Sequence, residues 1–299
     1  MTVNGGIVYD NLVNYAKLVS LSYCVKHGLT PGLLNSTAHC NLTRCNEEQL
    51  RHVEVLETFN FNDLGDIGGG YYAIDDRNSR IILAFRGTSS RRDWFANMDA
   101  IPTKYSPLKN LVEGFEKVEC SKCKVHTGFY KFLRKNLSGI LSSVKQLKTT
   151  YPQYNLVVLG HSLGASLALL SGIELQLMGY DPLVVTFAGP KLGNSHLCQF
   201  IETLFDPSST LASLKLGQCP DKGYIRITHE GDIVPSLPPT NFFVHCGVNM
   251  HIAKKQFPHE PQDLKLYESP TSGLLKLLKS GIDRDDHSHY FIKITGCQD

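Results

Sequence analysis

A serine placed between two glycines is the strongest chemical signal in this 299-residue sequence. Residues 160–164 read Gly-His-Ser-Leu-Gly, a G-x-S-x-G pattern centred on Ser162. The branched apolar run 156–159 precedes the pattern and helical apolar spacing follows it, which predicts a strand, a tight turn and a helix. Such a turn holds its serine in a strained backbone with the hydroxyl exposed at the end of a sheet. The spacing therefore predicts a nucleophilic role for Ser162, with His161 packed beside it.

Ser162 needs two partners, because a serine hydroxyl becomes nucleophilic only when an oriented base takes its proton. In chains with this pattern the order is serine, then acid, then histidine. Asp232 follows a predicted strand in a loop from which a carboxylate can reach the sheet edge, and Glu230 is the alternative acid. His287 and His289 both fit the base, since a late loop can fold back over the serine.

Alternating strand and helix patterns must position these side chains. The apolar spacing predicts strands at 71–74, 80–85, 155–159, 183–187 and 224–229, and helices at 9–23, 129–144 and 163–178. The cysteine-bearing segment from the first helix to about residue 66 is predicted to be irregular. Several strands are apolar on both faces, which indicates an α/β fold with a mostly parallel, mixed sheet covered on both sides. No linker or repeat interrupts the pattern, so residues 1–299 are predicted to form one domain.

Composition narrows the function classes. The net charge is +2 and no basic stripe is present, which argues against a nucleic-acid partner. No apolar run approaches the ~20 residues that span a bilayer. No His-Glu-x-x-His spacing indicates a metal-dependent hydrolase, and no cofactor is implied.

Cysteine usage indicates an oxidising compartment. Nine cysteines and three Asn-x-Ser/Thr sequons, at Asn35, Asn41 and Asn136, are typical of a secreted glycoprotein. The first residues lack the apolar segment of a signal peptide, so a mature secreted form is expected. A cytosolic protein with nine free thiols is the alternative.

Six sequence blocks occur in an order that a known family shares. They are Arg86-Gly87-Thr88-Ser89-Ser90, 125–129 (VHTGF), 160–164 (GHSLG), 186–194 (TFAGPKLGN), 231–235 (GDIVP) and Tyr290-Phe291. Together they resemble the class 3 lipases, the extracellular triacylglycerol lipases of filamentous fungi and yeasts, and the cysteine pattern is most similar to the secreted yeast branch. The resemblance implies an α/β-hydrolase fold and a secreted monomer that hydrolyses long-chain acylglycerols at an oil–water interface.

The resemblance also implies roles for single residues. The base of the family lies in a His-Leu-x-Tyr-Phe pattern, which aligns with residues 287–291 and selects His287 over His289. Ser288 stands where the family has leucine. Ser162 would attack an ester carbonyl, and Asp232 would orient the base in an acyl-enzyme mechanism.

An oxyanion hole and a lid complete the expected site. The backbone N–H of Leu163 follows the nucleophile at a helix N-terminus, and Thr88 matches the family position for the second donor. Residues 89–98 form a short amphipathic segment that resembles the lipase lid, which covers the serine in water and opens at an oil surface. An ordinary surface helix is the alternative for this segment. Its apolar face holds Trp94, Phe95 and Met98.

The cysteines are expected to form disulfides. The resemblance implies that Cys24 pairs with Cys297 and Cys40 with Cys45. The three-residue spacing of Cys120 and Cys123, without zinc or thioredoxin context, favours a third bond between them. Cys198 and Cys219 are then paired only because they remain, and Cys246 is left as a buried free thiol.

Two other functions compete with the lipase. A feruloyl or phospholipid esterase on the same fold would share the three reacting residues. The apolar lid and the apolar Val234 and Leu237 beside the acid favour long acyl chains instead. A noncatalytic lipid-binding relative would be expected to lack one of Ser162, Asp232 and His287, and all three are present.

Overall fold

The computed structural model describes residues 6–60, 68–87, 101–111, 116–267 and 285–297. These residues form helices α1 (Gly6–Leu21), α2 (Thr127–Thr150), α3 (Leu163–Leu177), α4 (Ser195–Phe205) and α5 (Pro207–Lys215). They also form strands β1 (Gly32–Leu33), β2 (Val53–Asn60), β3 (Gly69–Asp75), β4 (Arg80–Phe85), β5 (Pro102–Lys104), β6 (Lys124–His126), β7 (Asn155–His161), β8 (Leu183–Phe187), β9 (Gly223–His229), β10 (Val248–Ile252), β11 (Leu264–Tyr267), β12 (His289–Tyr290) and β13 (Ile292–Lys293). All the predicted strands and helices are present, with shifted ends.

Nine of these strands form one sheet in the order β1-β2-β3-β4-β7-β8-β9-β10-β11. The central strands β4, β7, β8, β9 and β10 are paired in parallel. The strands towards both edges pair antiparallel. This arrangement confirms the predicted α/β fold with a mixed sheet. Within the described ranges, no helix is both long and apolar enough to cross a membrane.

Two apolar cores cover the two faces of the sheet. In β7, Val157 and Leu159 face the core that α1 completes, whereas Leu156 and Val158 face the core that α2 and α3 complete. Successive side chains of a strand point to opposite faces, so a strand that is buried on both sides is apolar at every position. This is why the run 156–159 contains no polar side chain.

Residues 22–60, the described part of the segment after α1, are more regular than the sequence indicates. The prediction of an irregular segment is wrong for β2, which pairs antiparallel with β3. Val53 and Val55 are buried, while Glu54 and Glu57 lie on the partly exposed face. Val53 and Val55 face one core and Phe59 faces the other, and a bulge between Val55 and Glu57 breaks the alternation, which hid the strand pattern.

Three of the predicted disulfides are confirmed, and the fourth is wrong. Cys24–Cys297, Cys40–Cys45 and Cys120–Cys123 are bonded. Cys198 and Cys219 are free and pack against opposite faces of the sheet, which prevents their pairing. Cys198 instead lies beside the buried Cys246, where a hydrogen bond with Cys198 and burial raise the pKa of the Cys246 thiol.

Cys24→Ser is expected to lower the free energy of unfolding by about 5–6 kcal/mol, because this bridge closes a very long loop. The two bonded cysteines are separated by 273 residues, whereas Cys40 and Cys45 are separated by 5. Urea unfolding under nonreducing conditions measures the loss. Cys40→Ser is the matched control and is expected to lose about 2 kcal/mol. Equal losses in the two variants would contradict the loop-closure explanation.

A buried carboxylate holds a neighbouring segment against the helix that begins beside Ser162. Glu174 on α3 accepts hydrogen bonds from the Tyr105 hydroxyl at 2.8 Å and from the Leu108 N–H at 3.0 Å. It also accepts from the Lys109 N–H at 2.9 Å. Burial raises the pKa of Glu174, and the hydrogen bonds act in the opposite direction. The contacts fix residues 105–109 to α3.

Candidate active site

Ser162 occupies a sharp turn between β7 and α3. Its backbone has φ 58° and ψ −126°, a conformation that is strained for any residue with a side chain. The Ser162 N–H donates to the Phe187 carbonyl at 2.8 Å, which ties the turn to the neighbouring strand β8. The turn predicted from the G-x-S-x-G pattern therefore forms, with Ser162 at its apex.

The two glycines of the pattern allow this turn because backbone atoms approach them closely. A Cβ at Gly160 would lie 2.2 Å from the Gly164 carbonyl oxygen. A Cβ at Gly164 would lie 2.5 Å from the Phe85 carbonyl oxygen, at the end of β4. Both distances are far below van der Waals contact, so a side chain at either position would displace the turn.

Parallel strands carry the candidate residues to one edge of the sheet. The carboxyl ends of β4, β7 and β9 lead to Gly87, Ser162 and Asp232, respectively. Because these strands are parallel, their carboxyl ends meet at the same edge, where α/β proteins place their reacting groups. A Cβ built on Gly87 would lie 3.0 Å from the Cβ of Ser162, so the loop after β4 adjoins the serine.

Three side chains from separate loops form a continuous hydrogen-bonded series. The His287 Nε2 lies 2.8 Å from the Ser162 Oγ. The His287 Nδ1 lies 3.0 Å from Oδ2 and 3.1 Å from Oδ1 of Asp232. All three residues are buried. A serine, a base and an orienting carboxylate in this geometry can carry out nucleophilic attack on a carbonyl.

The donor and acceptor properties of these groups fix the direction of each hydrogen bond in the series. A carboxylate only accepts, so the Nδ1 of His287 donates its proton to Asp232. The Nε2 of the neutral ring is then an acceptor for the Ser162 hydroxyl. The arrangement therefore leads the serine proton towards the imidazole and directs the positive charge that results towards the carboxylate.

Asp232 remains ionised despite its burial. Burial by itself would raise the pKa of its carboxyl group, but the attraction of His287 and the hydrogen bond with it act in the opposite direction. The Tyr290 hydroxyl donates to Oδ2 at 2.6 Å and the Val234 N–H donates to Oδ1 at 2.9 Å. The net effect lowers the pKa of Asp232 below its ordinary value of 3.8.

The competing candidates contact other groups. His289 lies in β12, with its ring centroid 4.5 Å from that of Phe257, and burial lowers its pKa. The Glu230 carboxylate lies 3.2 Å from the His251 ring nitrogen. Of the alternatives that the sequence leaves open, the fold therefore brings His287 and Asp232 to Ser162.

The expected oxyanion donors and lid are only partly within the described residues. Leu163 is the first residue of α3, where backbone N–H groups point out of the helix end and are available to a negative charge. Thr88 and the expected lid, 89–98, lie outside the described residues. The apolar lid residues Trp94, Phe95 and Met98 belong to this segment.

Sequence reasoning missed two tyrosines near the serine. Tyr290 lies in a block that carries the family resemblance, and its position three residues after the candidate base His287 was the available signal for its contact with Asp232. The Tyr23 hydroxyl lies 2.6 Å from the His161 Nδ1, although 138 positions separate the two residues. No local pattern in the sequence indicates this second contact.

Comparisons with known proteins point to one family. The family model described as Lipase (class 3) matches residues 82–242, more than half of the chain. The candidate lipase LIH1 of Saccharomyces cerevisiae is 35% identical over 97% of this chain and 94% of its own length. The secreted mono- and diacylglycerol lipase 2 of Gibberella zeae is 27% identical over 86% of this chain, which spans 65% of that relative.

Solved structures give a similar result. The Lip2 lipase of Yarrowia lipolytica superimposes with a TM-score of 0.79 and is 28% identical. The superposition covers 98% of this chain and 96% of the lipase. The mono- and diacylglycerol lipase of Aspergillus oryzae has a TM-score of 0.77 at 23% identity, which indicates a shared fold.

Proposed function

This chain belongs to the class 3 lipases and is a carboxylic ester hydrolase, and from that premise we propose that it hydrolyses long-chain acylglycerols through a covalent acyl-enzyme. The observation that carries the mechanism is the hydrogen-bonded series from Ser162 through His287 to Asp232. Its distances and burial match the requirements for proton transfer from a serine in a site that excludes water.

The reaction proceeds in two steps. Ser162 attacks the ester carbonyl while His287 takes the hydroxyl proton, and His287 then returns that proton to the departing glyceride oxygen. Water next attacks the acyl-enzyme and gives a proton to His287. His287 returns that proton to the Ser162 Oγ as the bond between Oγ and the acyl group breaks and the fatty acid is released. Asp232 keeps the imidazole in the required tautomer and stabilises its charged form throughout.

Two backbone donors would stabilise the tetrahedral oxyanion. We assign one to the Leu163 N–H, because it opens helix α3 directly after the nucleophile. We assign the other to Thr88 through its family position. The close approach of Gly87 to the Ser162 side chain supports this assignment. Loss of one such donor typically raises the barrier by about 3 kcal/mol.

The substrate assignment rests on apolar side chains around the site. Val234 is buried and its N–H donates to the Asp232 carboxylate, and Leu237 is half-buried in the same loop after β9. We propose that 89–98 is a lid that opens at a lipid surface and presents Trp94, Phe95 and Met98 to it. The substrate partner is then an acylglycerol at an oil–water interface, and contact with lipid is peripheral.

We further propose a secreted, monomeric protein in which residues 1–299 form a single catalytic domain. The three disulfides support an extracellular location, because such bonds persist in oxidising compartments. The name of the Gibberella zeae relative also describes it as secreted.

The decisive test compares an emulsified substrate with a dissolved one. Hydrolysis of a long-chain triglyceride emulsion is measured beside that of a soluble short-chain ester, with Ser162→Ala as the blank. A short-chain triglyceride is then taken across its solubility limit. We expect the rate to rise steeply above that limit, because an interface would stabilise the open lid through its apolar face.

A lid variant separates interfacial opening from ester chemistry. Trp94→Ala is expected to reduce the emulsion rate while the soluble-ester rate stays at the wild-type level. A rate that follows one smooth hyperbola through the solubility limit would instead identify an esterase for dissolved substrates. Emulsion activity that survives in Ser162→Ala would refute the assignment of the nucleophile.

A further inference from the structure

A second hydrogen-bonded series runs beside the reacting residues. The Gly87 N–H donates to the Tyr23 hydroxyl oxygen at 3.1 Å, and the same hydroxyl lies 2.6 Å from the His161 Nδ1. The other ring nitrogen of His161, Nε2, lies 2.9 Å from the backbone carbonyl oxygen of His287. The His161 side chain is fully buried, so these contacts are shielded from water.

The donors and acceptors in this series have only one consistent assignment for a neutral ring. A carbonyl oxygen only accepts, so the His161 Nε2 carries the proton that is donated to His287. The Nδ1 is then an acceptor and takes the proton of the Tyr23 hydroxyl. The Tyr23 oxygen keeps a lone pair for the Gly87 N–H. Each group therefore determines the direction of the next hydrogen bond.

The series connects three parts of the site that must act together. Gly87 directly precedes the proposed oxyanion donor Thr88, His161 directly precedes the nucleophile Ser162, and the last acceptor is the backbone of the base His287. We infer that Tyr23 and His161 are positioning residues. They hold Gly87, which adjoins the proposed oxyanion donor, and the base His287 in place relative to the nucleophile Ser162. This inference rests on the proposed ester hydrolysis.

Tyr23 is adjacent to the disulfide bond that links residue 24 to residue 297. It lies in the single turn Ser22–Cys24, directly before the cysteine that is bonded to Cys297. The segment 285–297 carries His287, so the bridge and the hydrogen-bonded series connect the same two regions. A buried donor or acceptor that loses its partner is unfavourable, so removal of one group disturbs the whole series.

Tyr23→Phe tests the first link. Tyr23→Phe removes the hydroxyl that donates to the His161 Nδ1. The ring proton can then move from Nε2 to Nδ1, which turns an Nε2 lone pair towards the His287 carbonyl. We expect kcat for the soluble ester to fall about tenfold with KM unchanged, because small displacements of reacting groups act on the chemical step. Tyr71→Phe is the matched control, since the Tyr71 hydroxyl is buried and donates to the Leu18 carbonyl at 2.7 Å, away from the series.

Two substitutions of His161 test the second link. Glutamine extends its amide to about the place of Nε2, so His161→Gln keeps a donor to the His287 carbonyl. Asparagine is shorter, so His161→Asn keeps an acceptor for Tyr23 and loses the donor to His287. We expect kcat to fall about tenfold in His161→Asn and substantially less in His161→Gln, with thermal unfolding measured for both.

The possible outcomes separate positioning from packing. A kcat loss in Tyr23→Phe without one in Tyr71→Phe, and better retention by His161→Gln than by His161→Asn, would support the inference. Wild-type kcat in Tyr23→Phe, or equal losses in both His161 variants that follow their loss of stability, would overturn it. Either result leaves the proposed function standing as long as Ser162→Ala is inactive.

Discussion

Replacement of His287 by alanine is expected to reduce kcat for ester hydrolysis by about 10⁶-fold, whereas His289→Ala leaves it unchanged. The His287 Nε2 is the group that lies 2.8 Å from the Ser162 Oγ, and its loss leaves no base for the serine proton. The His289 ring instead contacts Phe257. Initial rates on a soluble ester measure both variants, with circular dichroism to verify folding.

A double variant tests whether serine and histidine act as one unit. Residues that exchange a single proton lose their function together, so their effects are strongly non-additive. We expect Ser162→Ala/His287→Ala to be no less active than either single variant. The residual rate would come from substrate binding and the oxyanion donors. A large loss in His289→Ala with an active His287→Ala would assign the base to the other histidine.

Asp232→Asn is expected to lower kcat by about 10⁴-fold while the fold remains intact. An asparagine can turn its amide nitrogen towards the His287 Nδ1, which would then have to accept a hydrogen bond. That tautomer places the ring proton on Nε2, where it faces the Ser162 hydroxyl and cannot receive its proton. Single-turnover rates with an activated ester measure the loss. The matched control is Glu230→Gln, which is expected to retain wild-type activity because its carboxylate contacts His251.

Asp232→Asn also tests how the free energy of unfolding depends on pH in the acid range. The pKa of Asp232 is lower in the folded protein than its ordinary value of 3.8, so the native state binds fewer protons than the unfolded chain in the acid range. Its contribution to stability is present above the ordinary pKa and is lost as pH falls through the lowered value. Asp232→Asn therefore lacks this part of the acid dependence. An identical acid dependence of unfolding in wild type and variant would contradict the ionised assignment.

The sequence by itself determined the local strands, turns and helices, because these depend on residues that are close together in the chain. The apolar run before Ser162 and the glycines at 160 and 164 encode a strand, a turn and a helix within one short segment. The same reasoning correctly placed the central strands, because a strand buried on both faces is apolar at every position. The order of the family blocks was sufficient to identify the class 3 lipases. The reasoning from apolar patterns failed at β2, where a bulge and two glutamates interrupt the alternation of apolar residues.

The tertiary structure alone decided which distant groups meet. Two contacts illustrate this: Tyr23 reaches His161, and Cys198 lies beside Cys246 instead of Cys219. For the base and the acid, the family resemblance had already favoured His287 and Asp232, and the fold brings both to Ser162. Each outcome depends on which face of the sheet a side chain occupies and on how a loop returns to its edge. Local propensities carry no information about such long-range contacts, because strand order and loop paths set them after the local elements have formed.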